Sequence, residues 1–140
     1  MKVLVVDDEV PARARLRAML ADIGGCEVCG EAANGHEALQ LCASERPDVL
    51  LLDIRMPGMD GLEAAQHLQL LQQPPAIIFT TAYNDYALQA FETHAVDYLL
   101  KPVRQERLLD ALQHAQRLTQ VQAASLRNAG DQSGERQRIC

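Results

Sequence analysis

Tryptophan is absent from this 140-residue chain, and three tyrosines and two phenylalanines are its only large aromatic rings. Any core must therefore be built from Leu, Val, Ile and Ala, which the 48% hydrophobic content allows within one domain of ordinary size. Positive charge is also short. Thirteen Lys and Arg against nineteen Asp and Glu leave a formal charge of −6, so the chain as a whole has no electrostatic footprint for nucleic acid. No apolar run approaches the ~20 residues of a membrane helix, and the opening Met1–Asp7 turns acidic too soon for a signal peptide. These two absences lead us to expect a cytoplasmic chain with no membrane partner.

Cysteine is sparse: Cys26, Cys29, Cys42 and Cys140. Cys26 and Cys29 have C-x-x-C spacing, but they fall in a segment that reads as a strand, where odd spacing sends side chains to opposite faces. No second Cys or His pair completes a zinc site, so free thiols are expected. There are no internal repeats. A Gly-rich phosphate loop after the first strand is missing too, which argues against a nucleotide-binding domain.

What is present centres on Val49–Gly61, VLLLDIRMPGMDG. Val49–Leu52 is a short unalternated apolar run, the pattern of a strand buried on both faces of a parallel sheet. Asp53 ends that run, and its carboxylate emerges at the carboxyl edge, where open α/β sheets place their sites. Pro57, Gly58 and Gly61 make the following loop turn chemistry.

The rest of the chain alternates strand and helix. Lys2–Val6 is a second continuous apolar run, followed by Asp7-Asp8-Glu9 and by Pro11 in a helical first turn. Ala12, Leu16, Met19, Leu20 and Ile23 form the inward stripe of that helix, with Pro11, Ala14, Arg15 and Ala18 on an exposed face. Arg13 and Arg17 share a face that reads as solvated charge, and Gly24-Gly25 stops the helix. Further strands are expected at Cys26–Ala32, Ala76–Thr80 and Asp97–Leu100, and helices from about His36 to Glu45, Gly61 to Leu71 and Asp85 to His94. The last helix starts near Gln105, with Leu108, Leu109, Leu112, Ala115 and Leu118 inward, and runs to about Leu126. The pattern is α/β: a five-stranded parallel sheet with helices on both faces, doubly wound and flavodoxin-like. Residues 1–124 form the domain, and residues 125–140 a polar tail or linker.

The strand ends collect chemistry. Asp7 and Asp8 follow the first strand, Asp53 ends the third, Thr81 the fourth and Lys101 the fifth. Three carboxylates at one edge repel unless a cation joins them, and hard oxygen donors suit Mg²⁺ or Mn²⁺. A lysine and a hydroxyl at the same rim suit phosphoryl oxygens. The four histidines, His36, His67, His94 and His114, have no partner at useful spacing and read as surface or packing residues.

Taken in order, VVDDE, LLLDIRMPGMDG, FTTAY and YLLKP resemble the receiver domain of two-component response regulators, over Met1 to about Thr119. The resemblance implies that Asp53 accepts a phosphoryl group from a sensor histidine kinase. It implies that Asp8 binds Mg²⁺ directly, Asp7 mainly through water, and the Arg55 backbone carbonyl as a third ligand, with Asp53 in the same shell. Lys101 and Thr81 would contact the phosphoryl oxygens, Tyr98 would act with Thr81 as the switch, and Lys101-Pro102 would be cis. The side chains two after the phosphoacceptor and two after the switch threonine, Arg55 and Tyr83, would flank the path of attacking water. Thr80–Pro102 is further similar to receivers that precede a LytTR-type DNA-binding domain, so DNA would be reached only through an output domain outside this sequence. Such receivers commonly self-associate through the fourth helix and fifth strand (Leu88, Phe91, Val96 and Tyr98 here), and a phosphorylation-enhanced homodimer is expected.

Two other classes compete with this one. An aspartate-nucleophile phosphohydrolase needs a carboxylate two residues after the nucleophile, where this chain has Arg55. A stand-alone receiver or a phosphorylation-independent docking module is the alternative, and the intact Asp7, Asp8, Asp53, Thr81 and Lys101 argue against the docking module. A receiver catalyses its own phosphotransfer without being a turnover enzyme.

Overall fold

The computed structural model describes residues 1–83 and 94–132, with residues 119–132 as backbone alone. Five parallel strands, β1 (Lys2–Val6), β2 (Glu27–Ala32), β3 (Val49–Asp53), β4 (Ala76–Thr81) and β5 (Asp97–Leu100), lie in the order β2-β1-β3-β4-β5. The helices α1 (Val10–Ile23), α2 (Gly35–Glu45) and α3 (Gly61–Leu68) and a C-terminal helix (Gln105–Gln132) cover the sheet. The expected helix at Asp85–His94 lies outside the described residues except for His94.

The unalternated runs behave as their composition requires. In β1 and β3 every second side chain enters a different core. Leu4, Val6, Leu50 and Leu52 pack with Ala38, Cys42, Ala64, Ala65 and Leu68 beneath α2 and α3. Val3, Val5, Val49 and Leu51 pack with Leu16, Leu20, Leu108, Ala111 and Leu112 beneath α1 and the C-terminal helix. Each fully buried Leu or Val contributes roughly 1.5–3 kcal/mol, so these two strands anchor both layers. Cys29 packs against the first core and Cys26 against the second, the opposite-face placement that rules out joint chelation.

Local signals set the ends. Gly24 takes φ 79° after α1. Asn34 caps α2 by accepting the Glu37 N–H at 2.9 Å while Glu37 Oε1 accepts the Ala33 N–H at 2.8 Å, a reciprocal cap. Asp60 caps α3 through the Glu63 N–H. The helix after Gly61 stops at Leu68 rather than Leu71, leaving Leu70 exposed.

Three further expectations need correction. In the C-terminal helix Leu109 and Leu118 are exposed, and Ala111 joins Leu108, Leu112 and Ala115 as the buried stripe. The helix meets the sheet along a narrow seam of small and large residues, so one flank of the apolar stripe stays in water. It also runs on to Gln132, past the expected end near Leu126. His114 has a partner, lying 3.3 Å from Asp97 Oδ2.

Candidate functional site

Strand β1 leads to β2 on one side while its neighbour β3 leads to β4 on the other, so the two connections diverge and a crevice opens at the carboxyl ends of β1 and β3. Asp7 follows β1 directly and is fully buried, Asp8 beside it is exposed, and Asp53 ends β3 almost completely buried. One carboxylate oxygen from each lies within 4.8 Å of the others, a cluster that could hold a metal ion. Lys101 extends from the end of β5 across the sheet. Its Nζ donates to Asp7 Oδ2 at 2.7 Å and to Asp53 Oδ2 at 3.3 Å. Lys101-Pro102 is a cis peptide.

Electrostatics follow from the crowding. Burial, then the Asp7 charge, pushes the Asp53 carboxyl up to about 6, although Lys101 opposes both. Burial alone would lower the Lys101 ammonium, but its hydrogen bond to Asp7 and the two carboxylate charges outweigh that and raise it. One ammonium thus serves two buried carboxylates with a third alongside. Hard oxygen donors in net excess of negative charge fit a small divalent cation.

The loop after Asp53 is shaped by what it must tuck away. Ile54 and Met56 turn into the core beneath α2 and α3, which leaves Arg55 pointing to solvent. Gly61 then returns to the strand end, donating its N–H to the Ile54 carbonyl at 2.7 Å. A Cβ at Gly61 would stand 2.8 Å from Ile54 Cα and overlap the Asp53 carbonyl oxygen, so only glycine permits this closure.

Thr81, Tyr98 and Arg55 meet at one residue that the sequence marked only as an obstruction. The Thr81 hydroxyl accepts the Tyr83 N–H at 3.2 Å, and among the described residues no hydrogen bond joins it to Asp53 or Lys101. The Tyr98 hydroxyl donates to the Tyr83 carbonyl. The Arg55 guanidinium carbon lies 4.5 Å from the centre of the Tyr83 ring. Tyr83 therefore ties the loop after β4 to β5 through its backbone and to the loop after β3 through its ring.

Thr80 has no sign in the sequence beyond its place in a strand. It pairs with Asp53 in the sheet, is fully buried, and its hydroxyl has no partner among the described residues. An unmet hydroxyl in a dry interior costs about 1–3 kcal/mol. Thr80→Val keeps the shape and removes that cost, so urea unfolding is expected to show a gain of about 1 kcal/mol. A loss of stability would mean that the hydroxyl has a bonding partner.

A sheet of this order with an acidic cluster at its switch point defines a class, and the family model for the response regulator receiver domain matches residues 3–113. The chain belongs to the response-regulator receiver family: it is a signalling module of two-component systems rather than a turnover enzyme. It is 49% identical, over 99% of its length, to the positive alginate biosynthesis regulatory protein of Pseudomonas aeruginosa, of which it covers 57%. It is 44% identical to the sensory transduction protein LytT of Bacillus cereus, over 87% of this chain and 50% of that one. The chain thus spans about half the length of these relatives. Among solved structures, the response regulatory domain of mrkE from Klebsiella pneumoniae superposes with TM-score 0.78 at 33% identity, covering 84% of this chain and 97% of that one. Among the described residues no helix is long and apolar enough to cross a membrane.

Proposed function

We propose that this receiver is switched by transfer of a phosphoryl group from a histidine kinase to Asp53. The observation that carries the reading is the buried carboxylate of Asp53 with the oxygens of Asp7 and Asp8 within 4.8 Å and the Lys101 ammonium at 3.3 Å. An acid held near 6 is mostly ionised at neutral pH, so an Asp53 oxygen is available as nucleophile. It forms the new bond to phosphorus as the kinase imidazole leaves with the electron pair of the N–P bond. Mg²⁺ (or Mn²⁺) held by Asp7, Asp8, Asp53 and the Arg55 carbonyl would supply positive charge to the crowded oxygens. Lys101, already between Asp7 and Asp53, follows the charge onto the phosphoryl oxygens. Thr81 joins it by exchanging its bond to the Tyr83 N–H for one to the phosphoryl group, which releases the backbone that Tyr98 also holds. Incubation with acetyl phosphate and Mg²⁺ tests the reading: one hydroxylamine-labile mass increment is expected on Asp53, and labelling elsewhere or none at all rejects it.

The kinase would approach over α1. Pro11, Ala14, Arg15 and Ala18 are exposed beside the acidic edge, with Val10 also open to water, and Arg15 additionally donates to the Val103 carbonyl at 3.0 Å. Small side chains let a partner helix come close. Replacing Ala14 and Ala18 by leucine should slow kinase transfer on the order of tenfold, as loss of a central contact of about 1.4 kcal/mol does, and spare acetyl phosphate labelling. Equal loss with both donors would show a folding defect instead. The output would be transcription control through a LytTR-type DNA-binding domain in the cytoplasm, reached by a phosphorylation-enhanced dimer through the segment 85–94 and β5. Leu88 and Phe91 lie outside the described residues. Val96 and Tyr98 are half-buried, and Leu100 is exposed.

A further inference from the structure

Asp7 and Asp8 are consecutive, and consecutive side chains of an extended strand point apart. For both carboxylates to serve one ion the chain must turn between them, and the peptide that joins them must be held in that turn. The Asp7 N–H continues the sheet by donating to the Ala32 carbonyl at 3.0 Å, and Asp7 Oδ1 accepts the Glu9 N–H at 2.9 Å. The Asp7 carbonyl, which belongs to the joining peptide, accepts from Arg13 Nη1 at 2.6 Å. Arg13 is itself braced. Its Nε lies 2.9 Å from Glu31 Oε1, its side chain is only 15% exposed, and Arg17 holds the other Glu31 oxygen at 2.9 Å. A guanidinium can address a carbonyl and a carboxylate at once, which a lysine ammonium cannot do in the same plane.

We propose that Arg13 is a positioning residue for divalent-cation binding: braced by Glu31, it fixes the Asp7–Asp8 peptide so that both carboxylates face one ion. This rests on the reading of Asp7, Asp8 and Asp53 as a cation site. Charge alone gives the opposite sign, which makes the inference sharp. Arg13 is a cation near a cation site, and deleting it would strengthen metal binding if its role were only electrostatic. Positioning groups of this kind carry 10–100-fold in metal affinity.

Calorimetric titration of the whole chain with Mg²⁺ and with Mn²⁺ at fixed ionic strength tests this, with circular dichroism to establish that each variant is folded. Arg13→Ala is expected to bind about tenfold more weakly than the parent. Arg13→Lys, which keeps the charge but not the fork, should fall between them, and it decides alone if Arg13→Ala does not fold. Arg17→Ala, which removes the same charge and one hold on Glu31 but leaves the bond from Arg13 to the Asp7 carbonyl in place, should weaken binding less than Arg13→Ala does. Affinity in Arg13→Ala and Arg13→Lys equal to or tighter than that of the parent overturns the proposal. Asp8→Asn separates the two readings. If it too binds like the parent, the acidic cluster is not the cation site and both fall. If it loses binding while the Arg13 variants keep it, the role of Arg13 alone is wrong.

Discussion

Asp53→Asn is expected to abolish phosphoryl labelling and, in chelator at neutral pH, to make the protein more stable. The amide is nearly isosteric, its oxygen can still accept from Lys101, and its NH₂ faces the Asp7 and Asp8 carboxylates. Lys101 keeps its shorter bond to Asp7 at 2.7 Å. The sign of the pH dependence follows from linkage. Asp53 titrates near 6 in the fold and near the ordinary 3.8 when unfolded, so between those values the folded state binds more protons. Stability of the parent therefore falls as pH rises through that window. The penalty is absent below about 4 and complete above about 6. A shift of about two units corresponds to roughly 3 kcal/mol at most, and Asn should recover a good part of it, seen as a Tm several degrees higher at pH 7.5. At pH 4.5 the gap should shrink to roughly a third, because Asp53 is then protonated in the fold but already mostly ionised when unfolded. Mg²⁺ should narrow the gap at pH 7.5 by stabilising the parent more than the variant, which keeps only Asp7 and Asp8 of the three carboxylates. Equal melting temperatures at pH 7.5 in chelator would show that burial and Asp7 do not strain Asp53, and continued stoichiometric labelling of the variant would remove Asp53 as the acceptor.

The edge that holds this chemistry was legible because it is built from strand ends. Unalternated runs identify β1 and β3, and Asp97–Leu100 between Val96 and Lys101-Pro102 identifies β5, so the residue leaving each run is fixed by where the apolar stretch stops. Asp7, Asp53 and Lys101 could be gathered from that rule alone. What stayed hidden depends on partners remote in sequence. Arg13 reads as surface charge because its acceptors are a main-chain carbonyl and Glu31, on a strand on the far side of a helix and turn. His114 reads as unpartnered because Asp97 lies on a different element. Leu109 and Leu118 fit the helical period as well as Leu108 does, and only the narrowness of the seam decides which of them is covered. The Tyr83 junction was half visible. The spacing from Thr81 marks the residue as bulk near the site, but its backbone links to Thr81 and Tyr98 need three elements in register.

That junction shapes the second expected result: the phosphoryl group on Asp53 is long-lived, and opening the Arg55–Tyr83 pair shortens its life. Hydrolysis needs water in line with the bond from phosphorus to the Asp53 oxygen, so whatever stands on that line sets the rate. Arg55 is directed outward because Ile54 and Met56 are committed to the core, and Tyr83 is held by its backbone between Thr81 and Tyr98. Guanidinium and ring then meet, 4.5 Å from group to centroid. An exposed contact of this type is worth about 0.5–1 kcal/mol, enough to bias the closed arrangement several-fold. Neither side chain is a carboxylate or an amide that could orient a water. Arg55→Ala and Tyr83→Ala are each expected to speed phosphate release after kinase removal by roughly threefold or more, the bias that such a contact imposes. Because both remove the same contact, the double variant should decay more slowly than the product of the single effects predicts, the coupling of a shared interaction. If the two side chains instead swing freely into solvent, all three variants will decay no faster than the parent. Independent, multiplying effects would mean that each residue obstructs water by itself and that the stacking between them contributes nothing.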